Sequence, residues 1–164
     1  MWQELLKQVQ QGNIKALARS ISLVENEYPG YEILLQSLPA TTARIIGITG
    51  PPGAGKSTLV DSLIGLLVNS GKKIAVLCVD PSSPFNHGAL LGDRIRMNDW
   101  YVHPNVFIRS LATRGSMGGL HPKIIEITDL LKAFQFDHIL IETVGVGQSE
   151  VEIAGLADVT AVVV

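Results

Sequence analysis

The segment Gly50-Pro51-Pro52-Gly53-Ala54-Gly55-Lys56-Ser57 restricts the fold more than any other part of this chain. Its spacing is G-x-x-x-x-G-K-[ST], that of a phosphate-binding loop. Such a loop needs a strand before it and a helix after it, and the flanks supply both. Arg44-Ile45-Ile46-Gly47-Ile48-Thr49 is a short β-prone run ending at the glycine turn. Ser57 to Asn69 has helical spacing, with Leu59, Leu63 and Leu66 or Leu67 expected on one face. Glycines let backbone N–H groups approach phosphate oxygens, and the helix N-terminus adds partial positive charge. Lys56 is then expected at the β- and γ-phosphates, and the Ser57 hydroxyl on Mg2+. The expected binding set is Gly50, Pro51, Pro52, Gly53, Ala54, Gly55, Lys56, Ser57 and Thr58.

The rest of the chain is organised around that loop. Continuous β-branched runs at Ile74–Val79, Val106–Ile108, His138–Glu142 and Val159–Val164 alternate with helical spacing. Pro122 opens a helix with Ile124, Ile127, Leu131 and Phe134 on one face. This pattern predicts an α/β fold, a mainly parallel sheet covered on both faces by helices. The first forty residues differ. Trp2, Leu5, Leu6 and Val9 lie at helical spacing before Gly12, and Asn13 is placed to cap a helix carrying Ile14, Leu17, Ala18 and Ile21. Pro29-Gly30 is expected to break that helix, and Tyr31 to Leu38 to form a third one. The expected division is a helical extension over 1–40 and a P-loop domain over 41–164. Apolar faces in the extension need a partner, either the following domain or another chain. The last apolar run reads as a buried strand that stops without a turn or cap, so a truncated domain is expected.

Composition removes several alternatives. With 13 basic and 15 acidic residues the net charge is −2, which gives no electrostatic footprint for nucleic acid. The single cysteine, Cys78, lies in an apolar run, excluding an intramolecular disulfide and reading as a buried small hydrophobe. His87, His103, His121 and His138 are scattered and show no ligand spacing, against a protein metal cage. No apolar run approaches a membrane span, and no signal-peptide pattern opens the chain. A cytoplasmic protein is expected, or a mitochondrial matrix one after loss of a transit peptide.

Polar residues cluster where strands end, the place at which open α/β sheets bind ligands. Asp80 is expected to hold Mg2+ through water or to position the attacking water; a turn-forming role before Pro81 is its alternative. Asp93 lies in a loop able to close over a γ-phosphate, or is a solvated loop acid. Glu142 follows an apolar strand where many P-loop enzymes place Asp, so it is expected near Mg2+, with a helix-start Glu as the alternative. Gly145 can let a backbone N–H meet the γ-phosphate and swing when that phosphate leaves, or is an ordinary turn glycine. Gln148 resembles a water-orienting glutamine only loosely, lying three residues beyond Gly145. Arg94, Arg96 and Arg114 are candidates for transition-state or partner contacts, although each also reads as a solvent-facing arginine.

Five segments in order resemble one family. They are Gly50–Ser57, Val79-Asp80-Pro81-Ser82-Ser83, Gly92-Asp93-Arg94, Arg114-Gly115-x-x-Gly118-Gly119 and Glu142-Thr143-Val144-Gly145-Val146-Gly147-Gln148-Ser149-Glu150. Together they resemble the G-protein chaperones of the methylmalonyl-CoA mutase system, also labelled arginine/ornithine (LAO/AO) transport ATPases or kinases. The likeness runs from about Asn13 to Val164. It implies a GTPase of the class containing signal-recognition and metal-insertion GTPases, with GTP or GDP and Mg2+ as ligands. It also implies a cobalamin-dependent acyl-CoA mutase as partner, whose adenosylcobalamin loading and protection the GTPase gates, and a homodimer in the full-length protein. Lys56, Asp80, Asp93, Glu142 and Gln148 become the expected catalytic set, with Ser57, Asp80, Asp93 and Glu142 around the ion. The family's guanine-reading Asn-Lys-x-Asp motif is expected beyond Val164, so weaker and less selective guanine binding is anticipated for this chain. Rival readings are an ATP-using kinase or ATPase, a nickel-inserting GTPase and a nucleotide-binding interaction module without turnover.

Overall fold

In the computed structural model, the residues described are 1–80, 98–112, 120, 122–143 and 149–164. In chain order their elements are α1 (Trp2–Gln10), α2 (Ile14–Glu25), α3 (Tyr31–Gln36), β1 (Arg44–Thr49), α4 (Lys56–Asn69) and β2 (Ile74–Asp80). There follow α5 (Asn98–Tyr101), β3 (Val106–Ala112), α6 (Ile124–Ala133), β4 (His138–Glu142), α7 (Ser149–Leu156) and β5 (Val159–Val162). They form two units, one of residues 1–43 with 123–136 and one of residues 44–122 with 137–164.

The helical unit is built from local signals plus one distant segment. Gly12 takes φ +84° after α1, and Asn13 N–H reaches back to the Gln8 carbonyl at 3.0 Å, closing the helix as a Schellman turn. Asn13 then caps α2, its Oδ1 accepting from Ala16 N at 3.1 Å. Helix α2 does not run to Pro29. It ends at Glu25, because Glu27 enters the left-handed region at φ +49° and Tyr28 N donates to the Leu23 carbonyl at 2.9 Å. Helix α3 likewise stops at Gln36, short of Leu38. The apolar faces are satisfied by α6, against which α2 and α3 pack. Ile124, Ile127, Leu131 and Phe134 of that segment are all buried. Lys123, the residue before α6, donates to the Tyr31 hydroxyl at 3.0 Å and pairs with Glu27 at 3.1 Å. Residues 123–136 therefore group with the first helices, whereas the sequence pattern alone places them inside 41–164.

The second unit is a five-stranded sheet in the order β3-β2-β4-β1-β5, and every pairing is parallel. Strand β1 lies between β4 and β5, and its successive residues serve opposite faces. Ile48 enters a core with Val60 and Ile64 of α4, Val76 of β2 and Leu140 of β4. Gly47, on the other face, lies so close to α7 that a Cβ there would sit 2.5 Å from Ile153 Cγ1. The inward line of α4 is Val60 and Ile64, both fully buried, while Leu66 is 64% exposed and Leu59, Leu63 and Leu67 only flank the core. The expected leucine face is thus rotated, because the β-branched residues pack closest to the sheet. Cys78 is partly buried beside the same core. Among the described residues strand β5 pairs with β1, and Val159 and Val162 are more than half exposed. Among the described residues no helix is long and apolar enough to cross a membrane.

The side on which the chain adds its next strand reverses between β1 and β4. From β1 the chain passes through α4 to β2 on one side; from β4 it passes through α7 to β5 on the other. The carboxyl ends of β1 and β4 thus border the crevice at which open α/β sheets bind ligands.

Candidate functional site

The loop from Gly50 to Gly55 joins β1 to α4 at that crevice. Gly50 has φ +139°, and a Cβ there would lie 2.2 Å from the Val163 carbonyl oxygen, so neither conformation nor space admits a side chain. Gly55 caps α4 with φ +102°. The bond from Leu59 N to Gly55 O, 3.0 Å, begins the helical ladder. The N–H groups of Lys56, Ser57 and Thr58 stand ahead of it, at the positive end of the helix dipole. Lys56 is only 8% exposed. Its Nζ folds back along the loop and donates to the carbonyls of Gly50 at 2.7 Å and Pro51 at 2.9 Å. A buried ammonium and a row of helix-start amides around one glycine turn are groups suited to an anion.

A carboxylate meets this site from the neighbouring strand. The β1–β4 register pairs Ile48 with Glu142, and the β2–β4 register pairs Cys78 with Glu142. Glu142 is 8% exposed, and its Oε1 accepts a hydrogen bond from Ser57 Oγ at 3.2 Å. A hydroxyl and a carboxylate side by side are hard oxygen donors, the type Mg2+ selects. Among the described residues no group of three or more His, Cys, Asp or Glu could hold a metal. Mg2+ fits nevertheless, since at phosphate sites it takes one or two protein oxygens and completes its shell with phosphate and water.

One pair escaped the sequence reading. Thr143 Oγ1 donates to Thr49 Oγ1 at 2.8 Å, and Thr143 N donates to the Ile48 carbonyl at 3.0 Å. The signal available was two threonines at the ends of apolar runs, each next to a glycine-bearing loop. Glu152 was also missed. From α7 it accepts the backbone N–H of Leu120 at 2.7 Å.

The remaining expected residues separate into two groups. Asp80 is the last residue of β2, opposite Ala112 of β3, at the same carboxyl edge as Glu142. Asp93, Gly145 and Gln148, with Arg94, Arg96 and Arg114, lie outside the described residues. The structure therefore brings together Gly50 to Thr58 and Glu142.

Comparison with known proteins gives a consistent picture. The family model described as methylmalonyl-CoA mutase-associated GTPase MeaB matches residues 17–164. A Pyrococcus horikoshii protein is 48% identical over 162 residues, which cover 98% of this chain and 51% of that protein. The GTPase ArgK of Escherichia coli is 41% identical over 162 residues, or 94% of this chain and 49% of its own. The crystal structure of an LAO/AO transport system kinase matches with a TM-score of 0.77 at 31% identity, over 99% of this chain and 49% of that one. The chain thus spans about half the length of the curated relatives it matches. Its fold is that of a P-loop nucleoside triphosphatase.

Proposed function

The chain belongs to the MeaB family of methylmalonyl-CoA mutase-associated GTPases, and from that premise we propose that it binds Mg2+·GTP and hydrolyses it to regulate a cobalamin-dependent acyl-CoA mutase. The observation that carries this reading is the 3.2 Å contact between Ser57 Oγ and Glu142 Oε1 beside the glycine loop. It supplies oxygen donors for a divalent ion where the phosphates of a loop-bound nucleotide would lie. Lys56 exchanges its bonds to the loop carbonyls for phosphate oxygens, and the amides of Gly53 to Thr58 orient the β-phosphate. Ser57 and Glu142, joined by Asp80 and Asp93, hold the ion. With these residues holding it, the ion would supply positive charge against that developing on the phosphoryl oxygens. Gln148 orients the attacking water, and Gly145 answers to the γ-phosphate. Phosphoryl transfer to water needs positioning and charge stabilisation more than covalent chemistry.

Three segments act as switches in this proposal: 80–97, 114–119 and 145–150. A γ-phosphate shifts them only through contacts made in one state and not the other. The proposed setting is the cytoplasm, and the full-length protein is proposed to be a homodimer. Its partner is the mutase, with neither nucleic acid nor membrane as a binding partner. A second reading, an ATP-using kinase, draws support from the likeness to the LAO/AO transport system kinase, a protein named for phosphate transfer.

Parallel calorimetric titration with GTP and ATP, with and without Mg2+, separates the two. Mg2+-strengthened GTP binding and hydrolysis that responds to a cobalamin-dependent mutase are expected. Preference for ATP with phosphate transferred to an amino acid would replace the GTPase reading.

A further inference from the structure

We propose that the buried pair Thr49–Thr143 is a positioning device that sets the offset between the phosphate loop and the Glu142 carboxylate, and so tunes Mg2+ affinity in the nucleotide-loaded site. This rests on the reading of the crevice as a Mg2+·GTP site. Thr49 directly precedes Gly50, and Thr143 directly follows Glu142. Each hydroxyl is thus one residue from a component of the site. The last regular β1–β4 register pair is Ile48 with Glu142. The two bonds of Thr143, to Thr49 Oγ1 at 2.8 Å and Ile48 O at 3.0 Å, extend that link beyond the strand. On its other side Thr49 is held through its carbonyl, which accepts from Val163 N at 2.8 Å.

Packing alone does not account for these residues. Thr49 and Thr143 are 0% and 1% exposed. Valine would fill nearly the same volume, suits a strand at least as well, and avoids the cost of burying a hydroxyl. What valine lacks is direction. Apolar contact is non-directional and tolerates sliding of one strand end past the other, whereas a hydrogen bond at 2.8 Å fixes distance and angle. Such sliding would move Glu142 relative to Ser57. A displacement of about 1 Å in a positioned group can cost about a hundredfold in rate.

Thr49→Val, Thr143→Val and the double variant test this in the otherwise unchanged chain. Each single variant should bind GDP without Mg2+ within about threefold of the parent, since the glycine loop and Lys56 are untouched. Mg2+ affinity of the GDP complex, read by calorimetry, should fall about tenfold, and kcat should fall with KM unchanged. The double variant should lose no more Mg2+ affinity than the worse single, because both substitutions remove one shared bond. It should also melt no lower than the parent, since its paired valines leave no orphaned hydroxyl. That double variant keeps the test decisive where a single variant folds poorly. Without nucleotide, amide exchange at Thr143 should quicken in every variant while Ile46 stays protected.

Unchanged Mg2+ affinity and kcat in all three variants would overturn the inference. So would losses that merely track melting temperature and metal-free GDP affinity, the mark of a structural role. A parent chain that binds no GDP would remove the nucleotide reading and this inference with it. Parent binding with indifferent variants would remove the inference alone.

Discussion

Ser57 Oγ and Glu142 Oε1 lie 3.2 Å apart across 85 residues of sequence. One lies in the first turn of the helix after β1 and the other closes the adjacent strand, so the contact reports the docking of α4 against the β1–β4 pair. Glu142→Gln keeps shape and hydrogen-bonding capacity but removes the negative charge. Mg2+ affinity of the nucleotide complex should weaken at least about tenfold, with metal-free GDP binding preserved. Calorimetry with and without Mg2+ checks this, and an unchanged Mg2+ response would remove Glu142 from the ion site.

Lys56→Ala deletes the buried ammonium that faces the loop carbonyls. Triphosphate affinity should drop at least about a hundredfold, since hydrogen bonds to charged groups contribute about 1.5–3 kcal/mol each. Titration with a non-hydrolysable GTP analogue is the measurement. Retained affinity would mean that phosphate binds elsewhere.

Two glycines of β1 and its loop should respond differently to alanine. At Gly47 the added methyl meets Ile153 Cγ1 at 2.5 Å, a branched carbon whose χ1 is restricted in a helix, so a loss of about 1–3 kcal/mol is expected. Gly47→Ala should cost less in an Ile153→Ala background, which removes the Cγ1 atom it meets. At Gly50 the obstacle is backbone, the Val163 carbonyl oxygen at 2.2 Å, and φ is +139°. Gly50→Ala should therefore resist rescue by side-chain changes and lose nucleotide binding as well as stability. Denaturant melts and GDP titration of the three variants distinguish the cases.

The helical unit carries a pH signature. The Tyr31 hydroxyl, and after it the Glu27 carboxylate, hold the Lys123 pKa above the ordinary lysine value, outweighing the opposing effect of burial. A folded-state pKa raised in this way contributes stability fully below the unfolded value of about 10.4, and the contribution is lost as pH rises through the folded value. The melting-temperature gap between the parent and Lys123→Met should stay constant between about pH 6 and about pH 9, then close at higher pH. A gap that narrows towards neutral pH would contradict the pairing.

Gly145→Ala tests the proposed switch. Nucleotide binding should survive, because the phosphate loop is intact, while the mutase response should fail. The check is hydrogen exchange over 80–97, 114–119 and 145–150 with GDP and with a non-hydrolysable GTP analogue, alongside mutase affinity. A partner effect of about a hundredfold needs only a few kcal/mol of coupling. Identical exchange and mutase affinity in both nucleotide states would leave a nucleotide fold without a switch.

What the sequence determined by itself was local. The bounds of β1 and β4, the closure of α1 at Gly12 and the Asn13 cap follow from residues only a few positions apart. The same holds for the glycine loop between strand and helix, since backbone conformation and capping are settled within one turn. Tertiary structure decided the rest. Leucine spacing suggested one face of α4, but the sheet selected Val60 and Ile64 instead. Spacing also found the apolar face of α6 without showing that α2 and α3 receive it. The composition of β5 marked a strand, but not that it would pair with β1. The Ser57–Glu142 and Thr49–Thr143 contacts exist because strand order sets β4 beside β1. That order is a global choice among parallel pairings, and residues 85 and 94 positions apart carry no local signal of it.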